Sequence, residues 1–183
     1  GSIAPLEDCY KPSLFPSVRI AEQEFKEIGS WFSKSGIDCF ILETMNSIIE
    51  TEICIKSIQK FNIPIWVSFN LLNTTQIQSG ELLKEAISMV QRYNIDCLLL
   101  NCNPLERTID ALKIIKKYWS KKWGIYPNIG KGDPSPDGKI TNYYSNNDFL
   151  KIVNQSIKLD VNIIGGCCGS NSKHIDLIKN TLV

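Results

Sequence analysis

The stretch 96-DCLLLNCNPLERTIDALKIIKKYW-119 contains one complete unit of a strand followed by a helix. Its first part, Asp96 to Leu100, is a short apolar run of the kind that forms a buried parallel strand. Asn103 and Glu106 then fit a capping box, with Pro104 at the first helical position. A single unit cannot form a sheet, so the type of fold depends on how often this pattern recurs.

The pattern recurs along most of the chain. Further short runs rich in β-branched residues predict strands at 38–42, 65–69, 123–126 and 161–164. Helical spacing of apolar residues lies between them, and Ser47 with Glu50 fits a second capping box. Repeated strand-helix units predict an α/β fold with a parallel sheet covered by helices, either doubly wound or closed into a barrel.

The composition is that of an ordinary soluble domain. The chain has 183 residues, of which 43% are hydrophobic, and a formal net charge of +1, so it can bury one core. No apolar run approaches the ~20 residues that span a bilayer. No basic patch with interleaved aromatic residues indicates nucleic-acid binding. Seven irregularly spaced cysteines predict reduced thiols and a cytoplasmic location rather than a disulfide framework.

Unusual polar residues follow four of the predicted strands. Glu43 follows Leu42, Asn101 and Cys102 follow Leu100, Asn128 follows the strand containing Tyr126, and Cys167 follows Ile164. The carboxyl ends of parallel strands are where both barrels and open α/β sheets place their sites. Convergence from four different strands favours a barrel, because a closed ring directs them toward one axis.

Three cysteines at this edge form a candidate metal site. Cys102, Cys167 and Cys168 would give zinc three thiolate ligands and leave a fourth position open. Neighbouring residues on a regular strand point to opposite faces, so Gly165 and Gly166 are expected to let the backbone leave that geometry. The alternatives are that Cys102 belongs to the core and the doublet is incidental, or that the doublet forms a vicinal disulfide.

The other cysteines and the single histidine have plainer interpretations. Cys39, Cys54 and Cys97 lie in apolar periodic runs and are predicted to pack in the core. Cys9 lies in a polar loop and stays unassigned. His174 lies in the polar start of the last helix, where a surface or capping role is favoured over metal ligation.

The segment 162-NIIGGCCGSNSKHI-175 resembles the carboxy-terminal signature of the homocysteine S-methyltransferase family. In that family the Gly-Gly-Cys-Cys element carries two zinc ligands and an Asn-Cys element after an earlier strand carries the third, as in 98-LLLNCNP-104. Further likenesses follow in order at 41-ILETMNSIIETE-52, 65-IWVSF-69 and 125-IYPNIG-130.

The resemblance implies a (β/α)8 barrel of the TIM type that is incomplete in this chain. Residues 1–183 supply five to six of the eight strand-helix units, counting a strand remnant at 1-GSIAP-5, and would be the carboxy-terminal part of the barrel domain with its amino-terminal units missing. The chain would then be either a fragment of a longer enzyme or a shortened relative. Open sheet edges would then favour a homo-oligomer or pairing with the missing amino-terminal segment.

The resemblance also implies an activity. The zinc held by Cys102, Cys167 and Cys168 would bind homocysteine as its thiolate, which takes a methyl group from an onium donor such as S-methylmethionine or S-adenosylmethionine and becomes methionine. Glu43 would bind the homocysteine ammonium rather than serve as a solvated or helix-capping acid. Asn101 and Asn128 would line the substrate pocket, with a turn-forming role as the alternative for Asn128. The alternatives are an inactive fragment or partner-binding half-barrel, and a thiol metal-binding protein without turnover.

One loop departs from the family pattern. The segment 128-NIGKGDPSPDGKITNYYS-145 is long and polar, which is common in loops that cover sites. Ile129 and Lys131 replace the residues usual after Tyr-Pro-Asn, so donor recognition is expected to differ. Gly132 is followed by Asp-Pro, which does not fit a phosphate-binding loop.

Overall fold

A computed structural model of the chain describes residues 1–132, 135 and 139–182. Within them, six strands alternate with six α-helices. The strands are β1 (Ser2–Ile3), β2 (Phe40–Met45), β3 (Ile65–Phe69), β4 (Cys97–Asn101), β5 (Lys122–Tyr126) and β6 (Ile163–Ile164). The helices are α1 (Val18–Lys34), α2 (Ile48–Ile58), α3 (Leu83–Val90), α4 (Leu105–Tyr118), α5 (Asn146–Lys158) and α6 (Ser172–Leu182).

The strands form one parallel sheet in the order β1-β2-β3-β4-β5-β6. Each strand pairs with the next one along the chain, and Leu98 for example lies between Val67 and Trp123. Because the crossovers between parallel strands are right-handed, an order that never reverses places all the helices on the same face. A doubly wound sheet reverses its order at a switch point, so the topology is that of a barrel.

The core lies between the sheet and its helices. All five residues of β4 are buried, as expected of a strand covered on both faces. Phe25 of α1, Phe40 of β2 and Phe149 of α5 are fully buried. No helix among the described residues is long and apolar enough to cross a membrane.

The predicted strands are confirmed, with shifted ends in all but one. β3 has the predicted bounds, and the segment at the amino terminus forms β1. β2 continues to Met45 and β4 to Asn101, so the expectation that Glu43 and Asn101 follow their strands is wrong. The pairing with β3 becomes irregular after Leu42 and resumes at Met45, and Thr44 adopts the left-handed conformation within this irregularity, with φ 51°.

The two predicted capping boxes differ from expectation. Ser47 caps α2 through the Glu50 N–H, at 3.4 Å, but the Glu50 carboxylate accepts the Leu6 N–H instead of returning to Ser47, at 2.8 Å. The predicted capping box between Asn103 and Glu106 is not formed, because Asn103 Oδ1 accepts the N–H of Leu71 at 2.6 Å.

Helix α4 therefore begins without a side-chain cap. Pro104 is the capping residue rather than the first helical residue, and Leu105 opens the helix. The Glu106 carboxylate accepts the Tyr144 hydroxyl, which links α4 to the end of the long loop after β5. Residues 133, 134 and 136–138 of that loop, which include the Asp-Pro that follows Gly132, lie outside the described residues.

Candidate metal centre

Three free thiols converge at the carboxyl edge of the sheet. Cys102 directly follows β4, and Cys167 and Cys168 follow β6. The Cys102 sulfur lies 3.0 Å from that of Cys167 and 3.5 Å from that of Cys168. All three sulfurs lie within 4.8 Å of one another, and among the described residues no other group of three or more His, Cys, Asp or Glu side chains is as closely gathered.

The geometry of the cluster suits a thiophilic metal. In tetrahedral zinc sites the Zn–S bond is about 2.3 Å, which places the sulfurs about 3.8 Å apart. The distances from Cys102 to its two neighbours are somewhat shorter, so small side-chain rotations would accommodate the ion. Cys167 and Cys168 are both free thiols, so the vicinal disulfide considered for the doublet is not formed. Cys168 is exposed, and the other two are half-buried.

Local backbone geometry lets two neighbouring cysteines reach one point. Cys102 adopts the left-handed conformation, with φ 56°, directly after its strand. The Cys167 carbonyl accepts the N–H of Ser170 at 3.0 Å, which closes a turn in which Gly169 has φ 79°. The left-handed glycine is therefore Gly169.

Gly165 and Gly166 serve a different purpose from the one predicted. Neither has a positive φ, so conformational freedom is not what their positions require. A Cβ at Gly166 would lie 2.7 Å from the Ser170 side chain, and one at Gly165 would lie 3.2 Å from Tyr126. Close packing explains the glycine pair, most strongly at Gly166.

The three thiols share charge through their mutual hydrogen bonds. Thiol donation from Cys102, followed by that from Cys167, lowers the pKa of Cys168 to about 3. The bonds to Cys167 and Cys168 raise the pKa of the Cys102 thiol above its usual range. Within the metal-free cluster these hydrogen bonds therefore favour the thiolate form at Cys168, the exposed member.

Glu43 lies at the same edge and has two hydrogen-bond donors. Its carboxylate accepts the Ser2 hydroxyl at 2.5 Å and the Tyr126 hydroxyl at 3.2 Å. Burial raises the pKa of Tyr126, and the nearby Glu43 carboxylate raises it further, so the hydroxyl stays protonated and donates. The Tyr126 carbonyl accepts the Cys102 N–H at 3.3 Å, which connects Glu43 to the cysteine cluster through one residue.

The two asparagines predicted for the pocket are both 1% exposed. Asn101 Oδ1 accepts the Thr44 N–H at 3.0 Å and the Ser68 hydroxyl at 2.5 Å, which fixes the irregular end of β2. Asn128 donates from Nδ2 to the Cys102 carbonyl at 3.0 Å, and its Oδ1 accepts the Cys168 N–H at 3.2 Å. Direct contact of either side chain with a substrate stays a prediction.

A segment that sequence reasoning left unassigned crosses the site. Asn70 Nδ2 donates to the Cys9 carbonyl at 3.0 Å, and the Tyr10 hydroxyl donates to the Cys102 carbonyl at 3.4 Å. Burial raises the pKa of Tyr10. Tyr10 precedes Cys102 by 92 residues, and no motif or periodicity links them, so only the folded chain could show that they meet.

The remaining predictions for cysteine and histidine hold in part. Cys54 and Cys97 are buried in agreement with prediction, whereas Cys39 is only half-buried. His174 is 8% exposed, so a surface position is wrong. Its ring packs edge-on against Phe149 at 5.4 Å. Its Nδ1 accepts the N–H of Asn171 at 3.1 Å, in agreement with the capping role, and His174 does not belong to the three-sulfur cluster.

Comparison with known proteins points to one family. A family model described as homocysteine S-methyltransferase matches residues 1–182. Homocysteine S-methyltransferase 2 of Zea mays is 30% identical over 82% of this chain and 46% of its own length. Selenocysteine Se-methyltransferase of Brassica oleracea var. italica is also 30% identical, over 82% and 45%. The chain therefore spans about half the length of the curated relatives it matches.

Solved structures share the fold. The metallated form of the homocysteine methyltransferase MmuM from Escherichia coli superposes with a TM-score of 0.84 at 20% identity, over 99% of this chain and 60% of that chain. Its oxidized form superposes with a TM-score of 0.71, over 87% and 52%. At this level of identity the likeness establishes a common fold.

Proposed function

The chain belongs to the homocysteine S-methyltransferase family, and we propose that it acts in the zinc-dependent transfer of a methyl group to the thiolate of homocysteine, giving methionine. The observation that carries the proposal is the convergence of three free cysteine sulfurs, Cys102, Cys167 and Cys168, at the carboxyl edge of the sheet. Such a donor set leaves one tetrahedral position for a fourth sulfur.

The chemistry requires an ionised acceptor. A free thiol has a pKa of about 8.5 and is largely protonated at neutral pH. Zinc bound by the cluster would supply Lewis acidity that ionises the homocysteine thiol. Three cysteine thiolates and one divalent zinc ion together carry one net negative charge. This negative charge keeps the sulfur of the incoming homocysteine electron-rich.

Residues of the chain would orient the acceptor. Glu43 offers a carboxylate to the homocysteine ammonium, as a charge-assisted hydrogen bond. The hydroxyls of Ser2 and Tyr126 hold that carboxylate from two sides, which restricts its rotation before the substrate arrives. A fixed ammonium and a fixed sulfur together place the homocysteine side chain in one direction, and such alignment can supply much of the rate enhancement.

The donor is proposed to be cationic. As the bond forms between the methyl carbon and the homocysteine sulfur, the bond from methyl to the donor's onium atom breaks and its electron pair stays with the donor. No proton moves in this step, so no general base is needed. A negatively charged site attracts an onium donor, and S-methylmethionine and S-adenosylmethionine are the favoured ones.

The test is methyl transfer by the purified, zinc-loaded protein. Homocysteine would be incubated with a panel of S-methylmethionine, S-adenosylmethionine and betaine while methionine is measured. Selenocysteine belongs in the panel as an alternative acceptor, because one relative is named for it. We expect methionine with a sulfonium donor. If the protein binds zinc and homocysteine but transfers methyl from none of these donors, the proposed activity is wrong and a thiol metal-binding role remains.

A further inference from the structure

The segment Tyr126–Ile129 lies between the two stretches of chain that carry the cysteines. The Tyr126 carbonyl accepts the N–H of Cys102 at 3.3 Å, and the Pro127 carbonyl accepts that of Cys167 at 2.8 Å. The N–H of Ile129 donates to the Cys168 carbonyl at 2.9 Å. One short segment therefore holds the backbone of all three proposed ligands. Backbone groups make these bonds, so they do not depend on which side chains the segment carries.

Asn128 adds a bridge that does depend on its side chain. Its Nδ2 donates to the Cys102 carbonyl at 3.0 Å, while its Oδ1 accepts the N–H of Cys168 at 3.2 Å. The bridge spans two segments that are 66 residues apart in sequence. It needs a donor and an acceptor on one planar group, which asparagine has and aspartate, leucine or alanine lack.

We infer that Asn128 is a positioning residue, whose amide ties the Cys102 segment to the Cys167–Cys168 segment so that the three sulfurs face one point before metal binds. The inference rests on the metal site of the proposed function. It assigns Asn128 a task different from the substrate contact expected from the sequence. The amide is 1% exposed and its known partners are backbone groups of the ligands themselves.

Such a bridge is needed because the conformation at Cys102 is unfavourable. A non-glycine residue with a positive φ persists only where its surroundings fix it, and Cys102 has φ 56°. Its carbonyl accepts from Asn128 on one side and, at the longer distance of 3.4 Å, from the Tyr10 hydroxyl on another. Without these donors the residue could relax toward extended geometry, which would turn its sulfur away from the other two.

The experiment is a metal titration of Asn128→Asp, with Asn94→Asp as the matched control. Asn94 is exposed, so the control repeats the chemical change away from the site. Cobalt would be bound to the metal-free proteins, the intensity of thiolate-to-cobalt absorption recorded, and zinc affinity measured by competition. Outer-shell changes of this kind typically cost 10- to 100-fold in metal affinity. We expect that loss, together with weaker thiolate absorption, in Asn128→Asp alone.

A graded pair of variants separates positioning from simple destabilisation. Asn128→Ala removes both bonds without adding charge, so it replaces the aspartate variant if that protein fails to fold. Tyr10→Phe removes only the long bond to the same carbonyl, and we expect its loss of affinity to be smaller, about 2- to 5-fold. Unfolding of the metal-free proteins by heat is recorded alongside, because a purely structural role would lower that stability without changing the cobalt spectrum.

The outcomes distinguish the inference from the proposal on which it rests. If the unaltered protein binds no cobalt or zinc, the metal site itself is wrong. If it binds metal and the Asn128 variants bind with equal affinity and an unchanged spectrum, the positioning role is overturned. Weakened homocysteine binding with unchanged metal binding would also overturn it, and would establish the substrate contact instead.

Discussion

One cysteine opens strand β4 and another directly follows it, and the two differ in nearly every physical property. Cys97 opens the strand, is fully buried and pairs in regular register with its neighbours. Burial raises the pKa of its thiol to about 12. Cys102 follows the strand, has left-handed geometry and meets two other sulfurs. The position of a cysteine relative to the end of the strand, rather than its residue type, determines its chemistry.

Two carboxylates at opposite edges of the sheet differ in a similar way. Asp96 lies at the starting edge of the sheet, where its side chain accepts the N–H of Ile65 at 3.1 Å and fastens β4 to β3. Glu43 lies near the opposite edge, where two hydroxyls donate to it and the carboxylate remains partly exposed. One edge of the sheet uses polar groups to hold strands together, and the other presents them to a ligand. This division is general for parallel α/β sheets.

The largest expected effect comes from truncating Cys102, with Cys97 at the start of β4 as the comparison. Cys102→Ala removes one of three sulfurs, so we expect loss of stoichiometric zinc retention and of methyl transfer, a larger effect than the 10- to 100-fold typical of outer-shell changes. Cys97→Ala should leave zinc binding intact and lower the free energy of unfolding by about 1 kcal/mol. Zinc content after gel filtration measures how well each variant retains the metal, and thermal unfolding measures its stability. Undiminished zinc in Cys102→Ala would overturn the ligand assignment.

The second effect is a difference in thiol reactivity. After removal of metal by a chelator, Cys168 should be alkylated first because it is exposed and its pKa is lowered to about 3. A lowered pKa means that the thiolate is already formed above pH 4, so the rate should stay flat between pH 5 and 8. An ordinary thiol would react about tenfold faster per pH unit in that range.

Mass spectrometry of iodoacetamide-treated protein locates the label. Cys97 serves as the internal control, since its thiol is fully buried and should react only when the protein unfolds. Saturating zinc should protect Cys168. A rate at Cys168 that rises steeply with pH would contradict the shared-charge description of the cluster.

The third effect compares the carboxylates. Glu43→Gln keeps the size of the side chain but removes the charge, so we expect KM for homocysteine to rise about 10- to 100-fold, as when a charge-assisted bond of 1.5–3 kcal/mol is lost. Asp96→Asn should leave KM unchanged and lower stability by about 1 kcal/mol. Steady-state kinetics and thermal unfolding test the pair. An equal change of KM in both variants would show that the two edges do not differ in the proposed way.

The sequence predicted the fold because its signal is local and repeated. Short apolar runs separated by helical periodicity predicted the parallel sheet, and 65–69 formed a strand with the predicted bounds. The strand-helix pattern alone could not separate a barrel from a doubly wound sheet, since that depends on which strands become neighbours; the polar residues at four strand ends and the family motifs favoured the barrel. The sequential strand order settled it.

The site was predictable only where family motifs carry it. The cysteine doublet and the Asn-Cys element identified the three sulfurs, but the capping box at Asn103 was wrong because a distant backbone N–H, that of Leu71, takes the side chain. No motif or spacing in the sequence predicted the contact of Tyr10 with the Cys102 segment. Long-range hydrogen bonds have no periodicity, so sequence patterns do not report them.

The smallest expected effect tests whether the ligand-facing edge is held in place by its own hydroxyl groups. Tyr126→Phe removes the donor to Glu43 but leaves that of Ser2, so the carboxylate keeps its charge and loses part of its restraint. This hydrogen bond to the charged carboxylate is long, at 3.2 Å, and it acts on the substrate only through Glu43. We therefore expect it to contribute about 1 kcal/mol to binding, which predicts a rise of about 3- to 5-fold in KM for homocysteine with kcat little changed. Tyr118→Phe, at an exposed position on α4, is the control. A rise as large as that of Glu43→Gln would mean that Tyr126 itself contacts the substrate, and no rise at all would mean that Ser2 alone is enough to orient the carboxylate.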